Sequence, residues 1–196
     1  MLRKKSRTSE AQVCFEKGEV SFGKGKYDKA VKYLTMAVEL NPARVDAYYS
    51  RGAAYVSNGE DDKAIADYTR VIEMDPEYAS AYYVRGLVYH FRDEYDRAIA
   101  DYSRTIELEP EDARAYFNRG WAYAAKEEYE KAIADYTSMI RIDPGNALSY
   151  YNRGIFYDRA GEAEKAIADL EKYLELESDT DFALTALGAV ERLRGD

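Results

Sequence analysis

Side chains that could carry out catalysis or bind a metal are scarce in this sequence. His90 is the only histidine and Cys14 the only cysteine, so neither an internal disulfide nor a Cys- or His-rich metal site is predicted. Gly23-Lys24-Gly25 is rich in glycine but follows no predicted strand, which argues against a phosphate-binding loop. Cys14 is expected to be a small buried residue. The sequence therefore predicts no catalytic residue, no cofactor and no metal, and we expect that the protein is not an enzyme.

The charge balance favours a solvated surface over a nucleic-acid interface. The net charge is −9 and charged residues make up 33% of the chain, whereas nucleic-acid binding depends on a basic face. Acidic residues at 60–62 lie near a predicted helix start, where they suit the helix dipole. No apolar run is long enough to span a membrane, and the N-terminal residues lack a signal-peptide core. A cytoplasmic protein is therefore expected, with no nucleic-acid partner and no membrane span.

The first seven residues are basic. They contain Arg3, Lys4, Lys5 and Arg7 and no acidic residue. One interpretation is a frayed, solvated terminus. The other is a small contact site for an acidic surface.

The sequence repeats with a period of 34 residues. Glycine recurs at this spacing at Gly18, Gly52, Gly86, Gly120, Gly154 and Gly188, and alanine at Ala30, Ala64, Ala98, Ala132 and Ala166. The period predicts a basic extension at 1–10, five repeat units and a capping helix at 181–196. The predicted units are 11–44, 45–78, 79–112, 113–146 and 147–180.

Each unit has the pattern of two amphipathic helices. In the third unit, Tyr82, Gly86 and Tyr89 fall on one stripe of a helix, and apolar residues recur at helical spacing from Tyr95 to Ile106. The turn between the two helices often carries glycine, which tolerates a left-handed helix end. Each of the first four units closes with a proline, which cannot continue the second helix. The glycine and alanine columns are predicted to let the paired helices approach closely.

These residues resemble the tetratricopeptide repeat (TPR) family. The third unit reads YVRGLVY…AIADY…P and the fourth reads YFNRGWAY…AIADY…P, with the family's large residue, Gly, Tyr, Ala, aromatic and Pro within one period. The resemblance covers residues 11–180. It implies an all-α fold, a right-handed α-solenoid of antiparallel helix pairs whose first helices line a concave face. It also implies an interaction scaffold that binds a peptide or a partner protein in that groove.

One departure from the family is systematic. Where the family has an aliphatic residue before the glycine, this chain has Arg51, Arg85, Arg119 and Arg153, with Lys17 in the first unit. The four units with arginine also carry Asp67, Asp101, Asp135 and Asp169 in the second helix. We expect the two columns to form ion pairs, within a unit or between neighbouring units. The alternative is that both columns are solvated.

We expect the binding surface to be an apolar, aromatic groove centred on the third to fifth units. Leu87, Trp121 and Ile155 occupy a column where the family most often has a polar residue, although such residues can also pack between first helices. Asn118 and Asn152 would hydrogen-bond a peptide backbone, and Arg114 could meet an acidic group. The expected groove residues are Tyr49, Tyr83, Leu87, His90, Phe91, Arg114, Phe117, Asn118, Trp121, Tyr151, Asn152 and Ile155.

The C-terminal segment motivates an alternative function. A helix over 181–194 would cover the last unit with Phe182, Ala183, Leu187 and Val190, as repeat arrays require. Leu184 and Ala186 would then remain on its outer face. A self-assembling structural protein is therefore the alternative, with homo-oligomers formed through this end helix or the groove.

Overall fold

A computed structural model describes residues 2–177 and 181–195, with side chains described from 7 to 177 and from 182 to 195. This part of the chain forms eleven α-helices and no strand, which confirms the all-α fold. The helices are α1 (Leu2–Gly23), α2 (Tyr27–Leu40), α3 (Val45–Ser57), α4 (Asp61–Met74), α5 (Ala79–Phe91), α6 (Tyr95–Leu108), α7 (Ala113–Ala125), α8 (Tyr129–Ile142), α9 (Ala147–Arg159), α10 (Ala163–Leu176) and α11 (Asp181–Arg194). The last three residues of the fifth predicted unit, 178–180, lie outside the described residues.

The helices belong to two compact bodies. The N-terminal half, Met1–Arg92, holds α1 to α5, and the C-terminal half, Asp93–Asp196, holds α6 to α11. Within each half, every helix packs against the next one along the chain. Such packing of consecutive helices is typical of helical-hairpin repeats, in which each element contacts only its neighbours.

Paired helices meet closely at the recurring glycines. A Cβ added to Gly52 would lie 2.8 Å from the Tyr68 ring, and one added to Gly154 would lie 3.0 Å from Leu170. The alanine column (Ala30, Ala64, Ala98, Ala132 and Ala166) is fully buried. The prediction that small residues allow close helix approach is therefore confirmed at these positions, and large side chains of the second helices fill the space above Gly18, Gly52, Gly120 and Gly154.

The turns between paired helices use the left-handed conformation. Gly25, Gly59 and Gly161 have φ of +67°, +73° and +80°, as expected for a glycine that ends a helix. Asp93 and Glu127 hold the same slot with φ of 58° and 61°. These two residues therefore adopt a backbone conformation that costs free energy for any side chain with a Cβ.

The N-terminal residues are helical. Helix α1 begins at Leu2, and the two interpretations of the basic residues at 1–7 stay predictions. Arg7 donates a hydrogen bond to the backbone carbonyl of Glu39 at 3.3 Å, which ties this end of α1 to α2. The side chains of residues 3–5 lie outside the described part. Cys14 is buried, as predicted.

The arginine and aspartate columns pair within one repeat. Arg51 donates two hydrogen bonds to the Asp67 carboxylate, both at 2.7 Å, and its third nitrogen donates to the Thr35 hydroxyl of the preceding second helix at 3.3 Å. Arg119 and Arg153 repeat this geometry. The aspartate side chains are 4–9% exposed. The prediction of paired columns is thus correct for these repeats, and the solvated alternative is wrong.

Two tyrosine columns flank these guanidinium groups. Arg51 lies 5.5 Å from the centre of the Tyr48 ring and 5.8 Å from that of Tyr55. The same arrangement surrounds Arg85, Arg119 and Arg153. A guanidinium between aromatic faces gains cation–π attraction while losing water. Much of the high tyrosine content therefore serves to hold the partly buried arginine column.

Helix α11 covers the last repeat, and its buried stripe matches the predicted one at Ala183 and Val190 but differs at Phe182, Ala186 and Leu187. Ala183, Ala186 and Val190 are buried and pack against Leu170 and Tyr173. Ala186, predicted to face outward, is fully buried. The expected covering residues Phe182 and Leu187 are 50% and 47% exposed. The physical reason is that positions 183, 186 and 190 form one helical stripe, and only one stripe of α11 can face α10.

Candidate partner-binding surface

Trp121 is the central exposed aromatic residue of the first helices in the C-terminal half. Its ring centre lies 6.4 Å from that of Phe117 and 6.3 Å from that of Phe156, both in edge-to-face geometry. The side chain is nevertheless 45% exposed. One side of the indole is therefore held in place by the core, while the other remains available for contact.

A second apolar cluster lies on α9 and α11. The Tyr151 ring lies 5.2 Å from both the Tyr173 and the Phe182 rings. Leu148 and Phe182 are 47% and 50% exposed, and Ile155 packs at the edge of the same core. Half-buried rings with an exposed edge form a rigid apolar surface with few rotamers to freeze on binding.

Sequence reasoning did not include Leu148 and Phe182 in the groove. Phe182 was expected to cover the last repeat. Leu148 stands in a column that holds Gln12, Asp46, Ser80 and Arg114 in the earlier units, and Phe182 is its next member. The change from polar residues to leucine in this column was a signal that could have identified it.

Asn118 and Asn152 contact their own helices. The Asn118 side-chain amide donates to the Arg114 carbonyl at 3.0 Å, and that of Asn152 donates to the Leu148 carbonyl at 2.9 Å. These bonds orient the Asn152 amide so that its nitrogen faces the preceding turn of the helix. Its oxygen is then the group that could accept a hydrogen bond from a ligand.

Arg114 is held by the cap of its own helix. Its guanidinium donates two hydrogen bonds to Asp112, at 3.0 and 2.8 Å, and Asp112 also accepts from the Arg114 backbone N–H. The hydrogen bonds from Arg114 lower the pKa of Asp112. This pairing disfavours the expected role of Arg114 in meeting an acidic group of a ligand.

The expected residues of the N-terminal half differ in exposure. Tyr49 is half-buried, with its ring 5.7 Å from Tyr68 and 5.3 Å from Tyr78, so packing explains much of its role. Tyr83, Leu87 and His90 are also half-buried. Phe91 is 82% exposed, and its ring lies 6.1 Å from that of His90.

No cluster of metal-ligating side chains occurs among residues 7–177 and 182–195. His90 in particular belongs to no group of three or more His, Cys, Asp or Glu residues in this part of the chain. The described helices also include none that is both long and apolar enough to cross a membrane.

The fold and its recurring contacts define an all-α protein of tandem helical hairpins. Sequence profiles described as "Tetratricopeptide repeat" match residues 83–147 and 120–191, and a profile described as "TPR repeat" matches residues 18–59 and 54–90. The chain belongs to the tetratricopeptide repeat family.

Solved structures of MamA resemble this chain over most of its length. One MamA crystal structure is 28% identical with a TM-score of 0.81 and covers 86% of this chain and 92% of its own. A second is 30% identical with a TM-score of 0.77, covering 82% and 94%. These matches extend the family assignment over nearly the whole chain.

One curated relative carries an enzyme's name. The TPR repeat-containing thioredoxin TDX of Oryza sativa subsp. japonica is 42% identical over 45 residues, which are 23% of this chain and 14% of that protein. Thioredoxin chemistry uses a Cys-X-X-Cys pair, whereas this chain has one cysteine. The match therefore reflects shared repeats, and the families found by profile are repeat families.

Proposed function

We propose that this protein is an interaction scaffold that binds a segment of a partner protein on the first helices of its C-terminal half. The observation that carries the proposal is the exposure of Trp121, Leu148 and Phe182, each 45–50% accessible on a first-helix surface. Exposed apolar patches of this kind usually mark interaction sites. Repeat arrays of helical hairpins characteristically use such surfaces to bind partners.

The proposed binding residues have distinct roles. Trp121 is the anchor, because its edge-to-face contacts with Phe117 and Phe156 fix the ring before binding. Tyr151 and Ile155 extend the apolar surface. Asn152 accepts a hydrogen bond from a peptide N–H through its amide oxygen, and Asn118 stands at the equivalent position one repeat earlier. Arg114 is left out, because Asp112 engages its guanidinium.

A separate apolar contact is proposed on the N-terminal half. Phe91 is its exposed residue, and Tyr83, Leu87 and His90 are the half-buried residues beside it on α5. Tyr49 supports the surface from α3 through its packing on Tyr68. The expected ligand is a segment with apolar or aromatic side chains, since these bury the most area against such residues.

Selection from a random peptide library displayed on phage tests the proposal. The wild-type protein should enrich peptides with shared apolar or aromatic positions. Trp121→Ala should lower the affinity for the selected peptides by at least about tenfold, as for an interface anchor. The same change should lower the free energy of unfolding by only about 1–2 kcal/mol. A matched control is Leu176→Ala at the end of α10, a second helix, where the leucine is 41% exposed.

Two results would contradict the proposal. The first is a library selection that yields no shared motif, or one whose peptides bind the Trp121→Ala variant normally. The second is a loss of about 3–5 kcal/mol of stability in that variant, which is the cost of removing a core aromatic residue.

Self-association is the second candidate function. Leu184 of α11 is 73% exposed, which is unusual for a capping helix, because the outer face of a cap is ordinarily polar. The cytoplasmic location and the absence of a nucleic-acid partner remain predictions from composition.

A further inference from the structure

Every first helix after α1 has two positions that pack on the preceding second helix. In α3 these positions are Ala47 and Ala54, which contact α2 through Ala37, Val38 and Leu34. Both positions are buried in each later repeat and in α11. The first column is Ala47, Ala81, Ala115, Ser149 and Ala183, and the second is Ala54, Val88, Ala122, Phe156 and Val190.

In α1 the two equivalent positions are exposed. Val13 and Val20 are 45% and 56% accessible. Lys17 lies between them, in the slot that holds the partly buried arginine in later repeats, and Lys24 follows on the same stripe. We name Val13, Lys17, Val20 and Lys24 the head face. It corresponds to the surface by which later first helices pack on the preceding second helix, and among the described residues its two valines are exposed.

The head face is bordered by positive charge on the side of Lys17 and Lys24, whereas Val13 also lines a second cleft with Arg7, Glu10 and Glu39. A cleft of about 360 Å³ runs beside it between α1 and α2, and Tyr33 lines its wall. The lysines lining this cleft are Lys17, Lys24, Lys26 and Lys29, against one acidic residue, Glu16. In a chain of net charge −9, this local excess of lysine favours contact with an acidic surface.

Helix α11 carries a second apolar face that is exposed among the described residues. Leu184 and Leu187 are 73% and 47% exposed, and Glu191 lies on the same helical stripe. A Cβ added to Gly188 would meet no atom within 4 Å, whereas in complete repeats the equivalent glycine faces a large side chain at 2.6–3.0 Å. We name Leu184, Leu187, Gly188 and Glu191 the tail face. Its glycine leaves a shallow groove that can receive an apolar side chain.

We propose that the head face of one copy of this chain packs against the tail face of a second copy. Val13 and Val20 would bury their side chains against Leu184, Leu187 and the groove at Gly188. Glu191 would meet a lysine of the head face. The occupant is a second copy because the two faces are complementary in the same molecule, one apolar with lysines and the other apolar with a carboxylate. The inference rests on the second candidate function and is independent of peptide binding.

A head-to-tail contact is heterologous, so each pair of copies leaves one head face and one tail face unused. Association should therefore extend beyond dimers. The patch is smaller than a standard interface, so it should dissociate on dilution across roughly 5–500 µM. Moderate salt should weaken it, because part of the attraction is between exposed charges.

Complementary blocked variants test this geometry. Val20→Glu blocks the head face and Leu184→Glu blocks the tail face. In light scattering on a sizing column, the wild type should gain mass with concentration, and each variant alone should remain monomeric, with affinity reduced at least about tenfold. An equimolar mixture of the two variants should form a one-to-one dimer that does not grow further, because one head face and one tail face remain intact. Val56→Glu on α3, where the valine is 41% exposed, is the matched control and should associate like the wild type.

Each contrary result has a distinct meaning. A wild type that is monomeric throughout this range overturns both self-association and the head-to-tail contact. If the wild type associates, two results overturn the head-to-tail contact only. One is a blocked variant that still dimerises alone, and the other is a mixture of the two variants that stays monomeric. Circular dichroism of each variant verifies that it is folded.

Discussion

Tyr136 combines deep burial with a hydroxyl that lacks a hydrogen-bond partner among the described residues. The Trp121 indole lies nearby but not in a geometry that forms a hydrogen bond. Burial raises the pKa of Tyr136. An unpaired buried hydroxyl costs free energy, so this residue is a weak point beneath the proposed binding surface.

We expect Tyr136→Phe to raise the free energy of unfolding at pH 7 by about 1 kcal/mol, because the change removes an unpaired polar group and retains the ring. In the wild type, burial penalises the phenolate, so stability does not depend on this group below about pH 10, the value of an unfolded tyrosine, and falls as the pH rises further. Urea unfolding measures both effects. Compared with the wild type, the variant should have a higher free energy of unfolding at pH 7 and should lose less of it in alkali. Tyr68→Phe is the control, since burial also raises the pKa of Tyr68 but its hydroxyl is not a buried, unpartnered group. In the Tyr68→Phe variant, the free energy of unfolding should fall less in alkali than in the wild type, but it should not be higher than the wild type at pH 7.

Glu127 is an exposed residue in a slot that favours glycine. Its φ is 61°, and the equivalent residue is glycine at Gly25, Gly59 and Gly161. Glu127→Gly should raise stability by about 0.5–1 kcal/mol, because relief of left-handed strain outweighs the added freedom of the unfolded chain. Thermal melting measures the effect. Gly161→Ala, the reverse change in the same slot, should lower the melting temperature, and equal melting of both variants would contradict the explanation.

At the scale of helices, Arg51, Arg119 and Arg153 are partly buried and each joins three elements. Arg119 extends from α7, binds Asp135 of α8 and donates to Ser103 of α6. A buried ion pair contributes little net stability against an apolar pair, but it penalises wrong registers in which one charge is left alone. The column therefore sets the register between neighbouring hairpins, a task that an aliphatic residue at this position could not perform.

The glycine column offers two positions with opposite expected outcomes. An added Cβ at Gly154 would meet Leu170 at 3.0 Å and the Ala166 backbone oxygen at 3.3 Å, whereas at Gly188 it would meet nothing within 4 Å. Gly154→Ala should cost about 1–3 kcal/mol by forcing α9 and α10 apart. Gly188→Ala should stabilise the protein by about 0.5–1 kcal/mol through helix propensity. Chemical unfolding of dilute samples separates the two, and an equal effect of both changes would show that helix propensity alone governs this column.

At the scale of the whole molecule, the terminal helix is expected to control the stability of the repeats beneath it. Leu170 and Tyr173 are 0% and 1% exposed, and both pack against α11. A chain that ends at residue 177 should lose several kcal/mol, at roughly 1.5–3 kcal/mol per large side chain uncovered, and should bind hydrophobic dyes. Circular dichroism melting measures the change. A chain that ends at Arg194 is the control, and melting of the shorter chain at the wild-type temperature would show that α11 is not a structural cap.

Many features of the hairpins could be predicted from individual residues. The spacing of Gly52, Ala64 and Tyr68 was sufficient to predict a close pair of helices, because a side chain with a Cβ at Gly52 would collide with the Tyr68 ring. The register of α11 could not be predicted in the same way. The capping helix predicted at 181–196 has no second helix in its pattern, so the pattern alone did not show which stripe of α11 would be buried. In the structure, the side chain that packs against Leu170 and Tyr173 and becomes buried is Ala186 and not Leu187.

The sequence by itself determined the repeat, the two helices of each hairpin and the small residues between them, because these depend on spacings within a single period. Only the tertiary structure decided how each arginine divides its hydrogen bonds between its own aspartate and the hydroxyl of the preceding repeat. It also decided that Arg114 is engaged by Asp112 and that Trp121, Leu148 and Phe182 remain half-exposed. Exposure and pairing are set by the atoms that neighbouring helices bring to each side chain. A period in the sequence records which positions are equivalent, but the packing of those neighbours determines what each position contacts.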